Sequence, residues 1–218
     1  MRISIIGSGN IGGAIARGLA KGTMFKASDI TCTAQSDETL EKMRKIDPDF
    51  ILTHDNVEAA RNADIIIIAV KPWRVEMIID EIKSVLDFEK QMIVSVAAGV
   101  TFDLLNTYLT KNTDFDCLAT PTIFRIMPNT AIEVMSSMTF VSARNASKEQ
   151  TDLIIHIFNE LGNAMLVEER LMAQNSIGFQ RHRFRLALYP RGDRRRRGIG
   201  FLSETSARDR GTYRERRR

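Results

Sequence analysis

The fold class this sequence predicts is a doubly wound, mostly parallel α/β sheet, and three observations predict it. Short apolar runs alternate with stretches of helical periodicity from residue 3 to about residue 165. One run, residues 63–70 (ADIIIIAV), is apolar almost throughout, the pattern of a central parallel strand buried on both faces. The first run passes directly into Gly7-x-Gly9-x-x-Gly12 and then into a helix with Ile11, Ile15 and Leu19 at helical spacing.

The elements follow in order. After the first strand (Ile3, Ile5, Ile6) and its helix, residues 29–35 (DITCTAQ) read as a second strand and residues 37–45 as a polar helix. Residues 63–70 are the third strand, ended by Lys71-Pro72. Val75, Ile78, Ile79, Ile82, Val85 and Leu86 then recur at helical spacing, which predicts one amphipathic helix over 74–87. Residues 91–98 (QMIVSVAA) form a fourth strand, and Thr101 is placed to cap a helix whose apolar face is Leu104, Leu105, Tyr108 and Leu109. A fifth strand over 123–127 is stopped by Pro128, and 138–143 supplies a sixth. Ser147-x-x-Gln150 is a capping-box signature for a helix that buries Leu153, Ile154, Ile157, Phe158 and Leu161 before Gly162 ends it, and residues 164–167 close the sheet. No internal repeat is visible.

With 218 residues and 44% apolar content the chain can bury a sizeable core. No run reaches the roughly 18 apolar residues of a membrane span, and the chain starts directly on a strand, so a cytoplasmic location is expected. Cys32 and Cys117 lie far apart and read as two reduced thiols; no metal site is expected. His54, His156 and His182 form no constellation with a nucleophile, and His156 falls off the apolar stripe of its helix. The net charge of +4 averages two unlike segments: residues 1–175 carry 17 Lys+Arg against 23 Asp+Glu, whereas residues 176–218 carry 14 Arg, no Lys and 4 acids.

In doubly wound sheets the ligand lies beyond the carboxyl ends of the strands, so the loops after strands carry the functional reading. The first is the glycine loop, Gly7, Ser8, Gly9, Asn10, Ile11 and Gly12. Gly7 permits the tight turn, Gly9 lets the backbone approach a pyrophosphate, and Gly12 allows close packing of helix on strand. The helix N-terminus behind them offers free N–H groups to phosphate, so a nicotinamide dinucleotide is the expected cofactor. At the tip of the second strand Ala34, Gln35 and Ser36 should meet the adenosine ribose. There is no carboxylate there to grip a 2′-hydroxyl and no arginine to hold a 2′-phosphate, and Asp37 comes a little late, which leaves NADPH and NADH both open. Ala97, Ala98 and Gly99 are small residues that let a flat nicotinamide ring approach. Lys71 suits this site or a solvated loop, Pro128-Asn129-Thr130 suits it or a simple turn, and Asn56 suits the adenosine end or a helix cap. No acid/base pair stands out, as fits hydride transfer, where the cofactor carries the hard chemistry.

The strings IIGSGNIGGAIARGL, IIIIAVKPW, IVSVAAGVT, RIMPNTA and ELGNAMLVEERLM occur in one order and spacing over about residues 1–173. Through them the chain resembles the pyrroline-5-carboxylate reductase family. The resemblance implies NAD(P)H-dependent reduction of the C=N bond of 1-pyrroline-5-carboxylate to L-proline. It also implies a Rossmann domain over residues 1–165, with Gly7 to Gly12 on the pyrophosphate and Ala34, Gln35, Ser36 and Asn56 at the adenosine end. Ala69, Val70, Lys71, Pro72, Ala97, Ala98, Gly99 and Asn129 would then lie along the nicotinamide. Many members of the family carry an Asn-Arg-Ser/Thr sequence at the second strand tip where this chain has Ala-Gln-Ser. The family continues into a helical domain that forms a homo-oligomer and supplies substrate contacts, so catalytic residues are not assigned. Residues 166–174 read as the start of that domain, and no membrane or nucleic-acid partner is expected.

Two other readings of the sequence are weighed. A β-hydroxyacid dehydrogenase relative would want a catalytic lysine in the helical domain, which this chain does not have. A nucleic-acid arm built from residues 175–218 would want aromatic interleaving, which is thin. A reading-frame shift near residue 174 accounts for the arginine-only composition better. Taking the last two bases of each codon with the first of the next, and choosing among synonymous codons, residues 175–201 can be read as TALASSGIAFALRYIRAATEGGVELGF. That peptide resembles the opening of the family's helical domain. The expectation is an out-of-frame tail and a chain nearly inactive on its own.

Overall fold

A computed structural model gives the fold, and it describes residues 1–111 and 120–172. Cys117, His182 and the expectations for residues 175–218 lie outside the described residues. Among the described residues eight strands form one sheet in the order β3-β2-β1-β4-β5-β6-β7-β8. They are β1 (Ile3–Ile6), β2 (Ile30–Thr33), β3 (Ile51–Thr53), β4 (Ile65–Ile68), β5 (Met92–Ser95), β6 (Thr122–Met127), β7 (Ser137–Arg144) and β8 (Gly162–Leu166). Strands β1 to β6 run parallel, β7 is antiparallel to β6, and β8 is parallel to β7. The helices are α1 (Asn10–Ala20), α2 (Asp37–Ile46), α3 (Asn56–Arg61), α4 (Val75–Ile82), α5 (Phe102–Thr110) and α6 (Lys148–Asn159). The doubly wound α/β class is the one expected, a Rossmann fold.

The core sits on both faces of the sheet, because β1, β4 and β5 are buried throughout. On one face Ile15 and Leu19 of α1 and Ile154, Ile157 and Phe158 of α6 pack on Ile3, Ile5, Ile65 and Ile67. On the other, Val75, Ile78, Ile79 and Ile82 of α4 and Leu105 and Leu109 of α5 pack on Ile66, Ile68 and Ile93. Consecutive isoleucines of β4 therefore feed opposite layers, which is why that run shows no polar alternation. Burying one such side chain contributes on the order of 1.5–3 kcal/mol. Cys32 of β2 lies inside the first layer, where burial pushes its thiol up to about 12 and leaves it inert as a nucleophile.

The capping signals hold. Thr101 accepts the N–H of Leu104 at 3.3 Å, and Ser147 and Gln150 form a reciprocal capping box. His156 is exposed, as its place off the stripe implied. Five expectations need correction. Residues 51–61 hold β3 and α3, which the reading in sequence passed over because three strand residues and six helical ones are too short for a clear period. Asp55, not Asn56, caps α3, accepting the N–H groups of Val57 and Glu58 at 2.9 Å. The helix expected over 74–87 stops at Ile82 and continues as a 3-10 turn, Lys83–Val85. Gly162 opens β8 rather than ending α6, and in α5 Phe102 is buried while Leu104 is 41% exposed.

Candidate functional site

The carboxyl ends of β1, β2, β4 and β5 converge on an open groove of about 920 Å³. Its head is the glycine loop. Gly7 takes φ +96°, and a Cβ there would come within 2.7 Å of Val70 Cγ1, so only glycine fits without strain. A Cβ on Gly12 would overlap the Gly7 carbonyl, because α1 crosses the loop at backbone contact. A Cβ on Gly9 would meet nothing within 4 Å. Two of the three glycines are thus required by the fold, and the third leaves space that the protein itself does not use.

Gly9 is also the N-cap of α1. Helices α2, α3, α5 and α6 are each capped by a side chain, respectively from Ser36, Asp55, Thr101 and Ser147. Helix α1 has no side-chain cap and no acidic residue in its first turn. Its first-turn N–H groups therefore face the groove with their partial positive charge unanswered.

The next wall is the tip of β2. The Thr33 carbonyl accepts the N–H of Gly7 at 3.2 Å and of Ser8 at 2.7 Å, fixing the loop to the neighbouring strand. The Thr33 hydroxyl accepts from Gly7 at 3.3 Å and donates to Asn56 Oδ1 at 2.6 Å, and Asn56 Nδ2 donates to Glu81 at 3.0 Å. Asn56 is thereby held over the groove by two partners. His54 stands beside it with Nδ1 2.6 Å from the Ala34 carbonyl and Nε2 2.9 Å from Asp37. The Asp37 carboxylate first, and the Ala34 carbonyl second, raise the His54 pKa above its ordinary value.

A second cavity of about 280 Å³ continues from the groove past Ile11 and Val96. Ala97, Ala98, Met127, Asn129, Phe140 and Met172 are among the residues that wall it. Asn129 caps the 3-10 turn Thr130–Val134 by accepting the Ala131 N–H at 3.1 Å, so the turn reading of this segment is also correct. Arg125, 7% exposed, lies in this cavity wall and pairs with Glu169 at 2.6 Å. Glu169 also accepts the Phe102 N–H at 2.7 Å, and the Arg144 guanidinium lies 4.9 Å from the centre of the Phe102 ring.

The structure brings most of the expected site residues together. Gly7, Ser8, Gly9, Asn10, Ile11, Ala34, Gln35, Ser36, Asn56, Ala69, Val70 and Lys71 line the groove, and Ala97, Ala98 and Asn129 line the smaller cavity. Gly12, Pro72 and Gly99 line neither: Gly12 supports the loop from behind, Pro72 opens a 3-10 turn, and Gly99 lies past the small-residue rim. Several polar lining residues were not read from the sequence. Thr33, His54 and Glu81 carry no motif of their own, and Arg74 reaches the β2 tip only through the fold.

Comparison with known proteins bears on the fold and on the family. Residues 2–99 match the family model for NADP oxidoreductase, coenzyme F420-dependent. Pyrroline-5-carboxylate reductase 2 of Dictyostelium discoideum is 31% identical over 183 residues, covering 78% of this chain and 58% of that protein. Pyrroline-5-carboxylate reductase of Methanosarcina acetivorans is 28% identical over 173 residues, 78% of this chain and 60% of that one. The chain is similar to the pyrroline-5-carboxylate reductases. The crystal structure of the Coxiella burnetii reductase superposes with a TM-score of 0.67 at 27% identity, covering 86% of this chain and 72% of that one. The Plasmodium falciparum reductase, solved with NADP bound, superposes with a TM-score of 0.70 at 22% identity, covering 86% of this chain and 66% of that one, a likeness of fold. The chain spans about 58% of the length of the Dictyostelium relative. Among the described residues no group of His, Cys, Asp or Glu is arranged to hold a metal, and no helix is long and apolar enough to cross a membrane.

Proposed function

We propose that residues 1–165 form a nicotinamide-dinucleotide-binding domain, followed from residue 166 by the start of a substrate domain, and that the protein reduces 1-pyrroline-5-carboxylate to L-proline with NADPH or NADH in the cytoplasm. The observation that carries the reading is the pairing of an uncapped α1 N-terminus with Gly9, whose missing side chain leaves open space at the head of the groove. The residues present fit the cofactor. Gly7 to Gly12 and the first turn of α1 would hold the pyrophosphate, and Ala34, Gln35, Ser36 and Asn56 the adenosine end. Ala69, Val70, Lys71 and Pro72, with Ala97, Ala98, Gly99 and Asn129, would frame the nicotinamide.

When bound, the reduced nicotinamide supplies the hydride that reaches the imine carbon, while the imine nitrogen gains a proton. This chain's residues bind and orient. Thr33 and Asn56 hold the walls of the groove, and Ala97 and Ala98 keep the cavity beyond Ile11 free of bulk, so a planar imine can lie against a planar ring. The resemblance read in the sequence reaches about residue 173, and positioning of the substrate is worth up to several kcal/mol of barrier. We therefore expect the isolated 218-residue chain to bind cofactor while turning over slowly.

Calorimetric titration of the chain with NADPH and NADH, followed by a steady-state assay with pyrroline-5-carboxylate, tests both halves. Binding in the micromolar range with little turnover is expected. Absence of binding by either cofactor overturns the reading, and turnover at an ordinary enzymatic rate overturns the expectation of low activity.

A further inference from the structure

Resting on the cofactor reading above, we propose that Arg74 is the residue that selects the cofactor: it brings to the tip of β2 the cation that the strand lacks, holds a ribose 2′-phosphate, and makes the chain prefer NADPH. The second strand is followed by Ala34, Gln35 and Ser36, with neither a carboxylate for a ribose diol nor an arginine for a phosphate. Arg74 is 39 positions away in sequence, in the 3-10 turn Pro72–Arg74 between β4 and α4. The parallel sheet sets that turn beside the β2 tip, and Arg74 Nη1 donates to Gln35 Oε1 at 2.7 Å.

Three features of this arrangement point to an anion. Arg74 is half-buried in the groove wall, and among the described residues it has no carboxylate partner, whereas Arg44, Arg125, Arg144 and Arg170 each have one. A guanidinium carries five N–H donors, so a single neutral amide oxygen leaves its fork open for bidentate phosphate contact. Carboxylates near the β2 tip and on either side of Arg74 are engaged elsewhere: Asp37 with His54 at 2.9 Å, Glu38 with Lys42 at 2.8 Å, Glu76 with Lys111 at 3.1 Å, and Glu81 with the amide of Asn56, while Glu133 also lines the groove. Ser36, the N-cap of the ten-residue α2, adds a hydroxyl on the same rim, and Lys71 adds a second cation to the groove.

Asp37 would be the natural ligand for the free ribose diol of NADH, and its link to His54 holds it in another role. The 2′-phosphate, by contrast, has a waiting donor. A charge-assisted pair of this kind corresponds to about a 10- to 100-fold change in affinity when one partner is removed.

The experiment compares NADPH with NADH, and adenosine 2′,5′-bisphosphate with 5′-AMP, on the full chain and on Arg74→Ala, Arg74→Lys and Gln35→Ala. Calorimetry gives the affinities, and thermal melting checks that each variant folds. The wild-type chain should bind NADPH and the bisphosphate at least about 10-fold more tightly than NADH and 5′-AMP. Arg74→Ala should abolish that difference with NADH affinity unchanged within about threefold, Arg74→Lys should restore part of it, and Gln35→Ala should keep it. Equal weakening of both cofactors by Arg74→Ala, an unchanged NADPH preference, or a wild-type preference for NADH overturns the assignment of Arg74 and leaves the cofactor domain standing. Failure of every ligand to bind overturns the cofactor domain, and this assignment falls with it.

Discussion

Replacing the three loop glycines one at a time separates what the fold needs from what a ligand needs. In Gly12→Ala the new methyl overlaps the Gly7 carbonyl, a backbone atom that cannot rotate away. Overpacking costs about 1–3 kcal/mol, and an overlap with rigid backbone belongs at or above the top of that range, so after a gain of up to about 1 kcal/mol from alanine's helix propensity a net loss of about 2 kcal/mol or more is left. In Gly7→Ala the left-handed φ of +96° adds to a 2.7 Å contact with Val70 Cγ1. The two effects together come to about 2–4 kcal/mol. Gly9→Ala meets nothing within 4 Å and sits at φ −68°, which alanine adopts freely. There the loss of a glycine N-cap, under about 1 kcal/mol, is offset by about 0.4–1 kcal/mol of reduced freedom in the unfolded chain. For a domain of this size 1 kcal/mol moves the melting temperature by roughly 2–4 °C. Thermal unfolding should therefore show Gly9→Ala within about 3 °C of wild type and Gly7→Ala and Gly12→Ala lower by roughly 5–10 °C. Cofactor titration should invert the order of interest: Gly9→Val, still folded, should lose at least about 100-fold in affinity, close to 2.7 kcal/mol. A Gly9→Ala protein as unstable as Gly12→Ala, or a Gly9→Val protein that binds normally, would refute the argument.

Two further outcomes follow from the charged groups. Glu169→Gln leaves Arg125 nearly buried with its ion pair gone, and because Glu169 itself is about a quarter exposed the loss should fall to the lower side of the range for buried pairs, about 2–4 kcal/mol; denaturant unfolding with an unchanged midpoint would contradict this. The His54 pKa lies above its ordinary value of 6.5, so whatever its pairing with Asp37 adds to stability is complete below about that pH and is lost as pH rises through the raised value. An NMR titration should place His54 above 6.5 and Asp37→Asn should bring it down; a wild-type value at or below 6.5 would contradict the pairing.

Much of this molecule was legible in its sequence because the decisive signals are local. ADIIIIAV at β4, the Ser147-x-x-Gln150 box of α6 and the glycine loop each announce themselves within ten residues, and backbone chemistry alone interprets them. What stayed hidden depends on which loops the sheet sets side by side. β3 and α3 are too short to show a period, and they exist because β2 offers an edge and Asp55 a cap. The contact of Arg74 with Gln35, and the clamp of Glu169 on Arg125 and Phe102, join residues 39, 44 and 67 positions apart. No spacing rule spans such separations.

The hydrogen bonds running from Gly7 through Thr33 and Asn56 to Glu81 tie the first strand, the second strand, α3 and α4 into one frame before any ligand arrives. The Thr33 and Asn56 side chains in that series are each held by a partner on both sides, so the groove has little freedom left to lose. Association then spends almost nothing on ordering loops, and its rate is governed by encounter rather than by a wait for a rare open or closed form. Differences in affinity among dinucleotides should accordingly appear as differences in residence time, with arrival rates nearly the same for all of them.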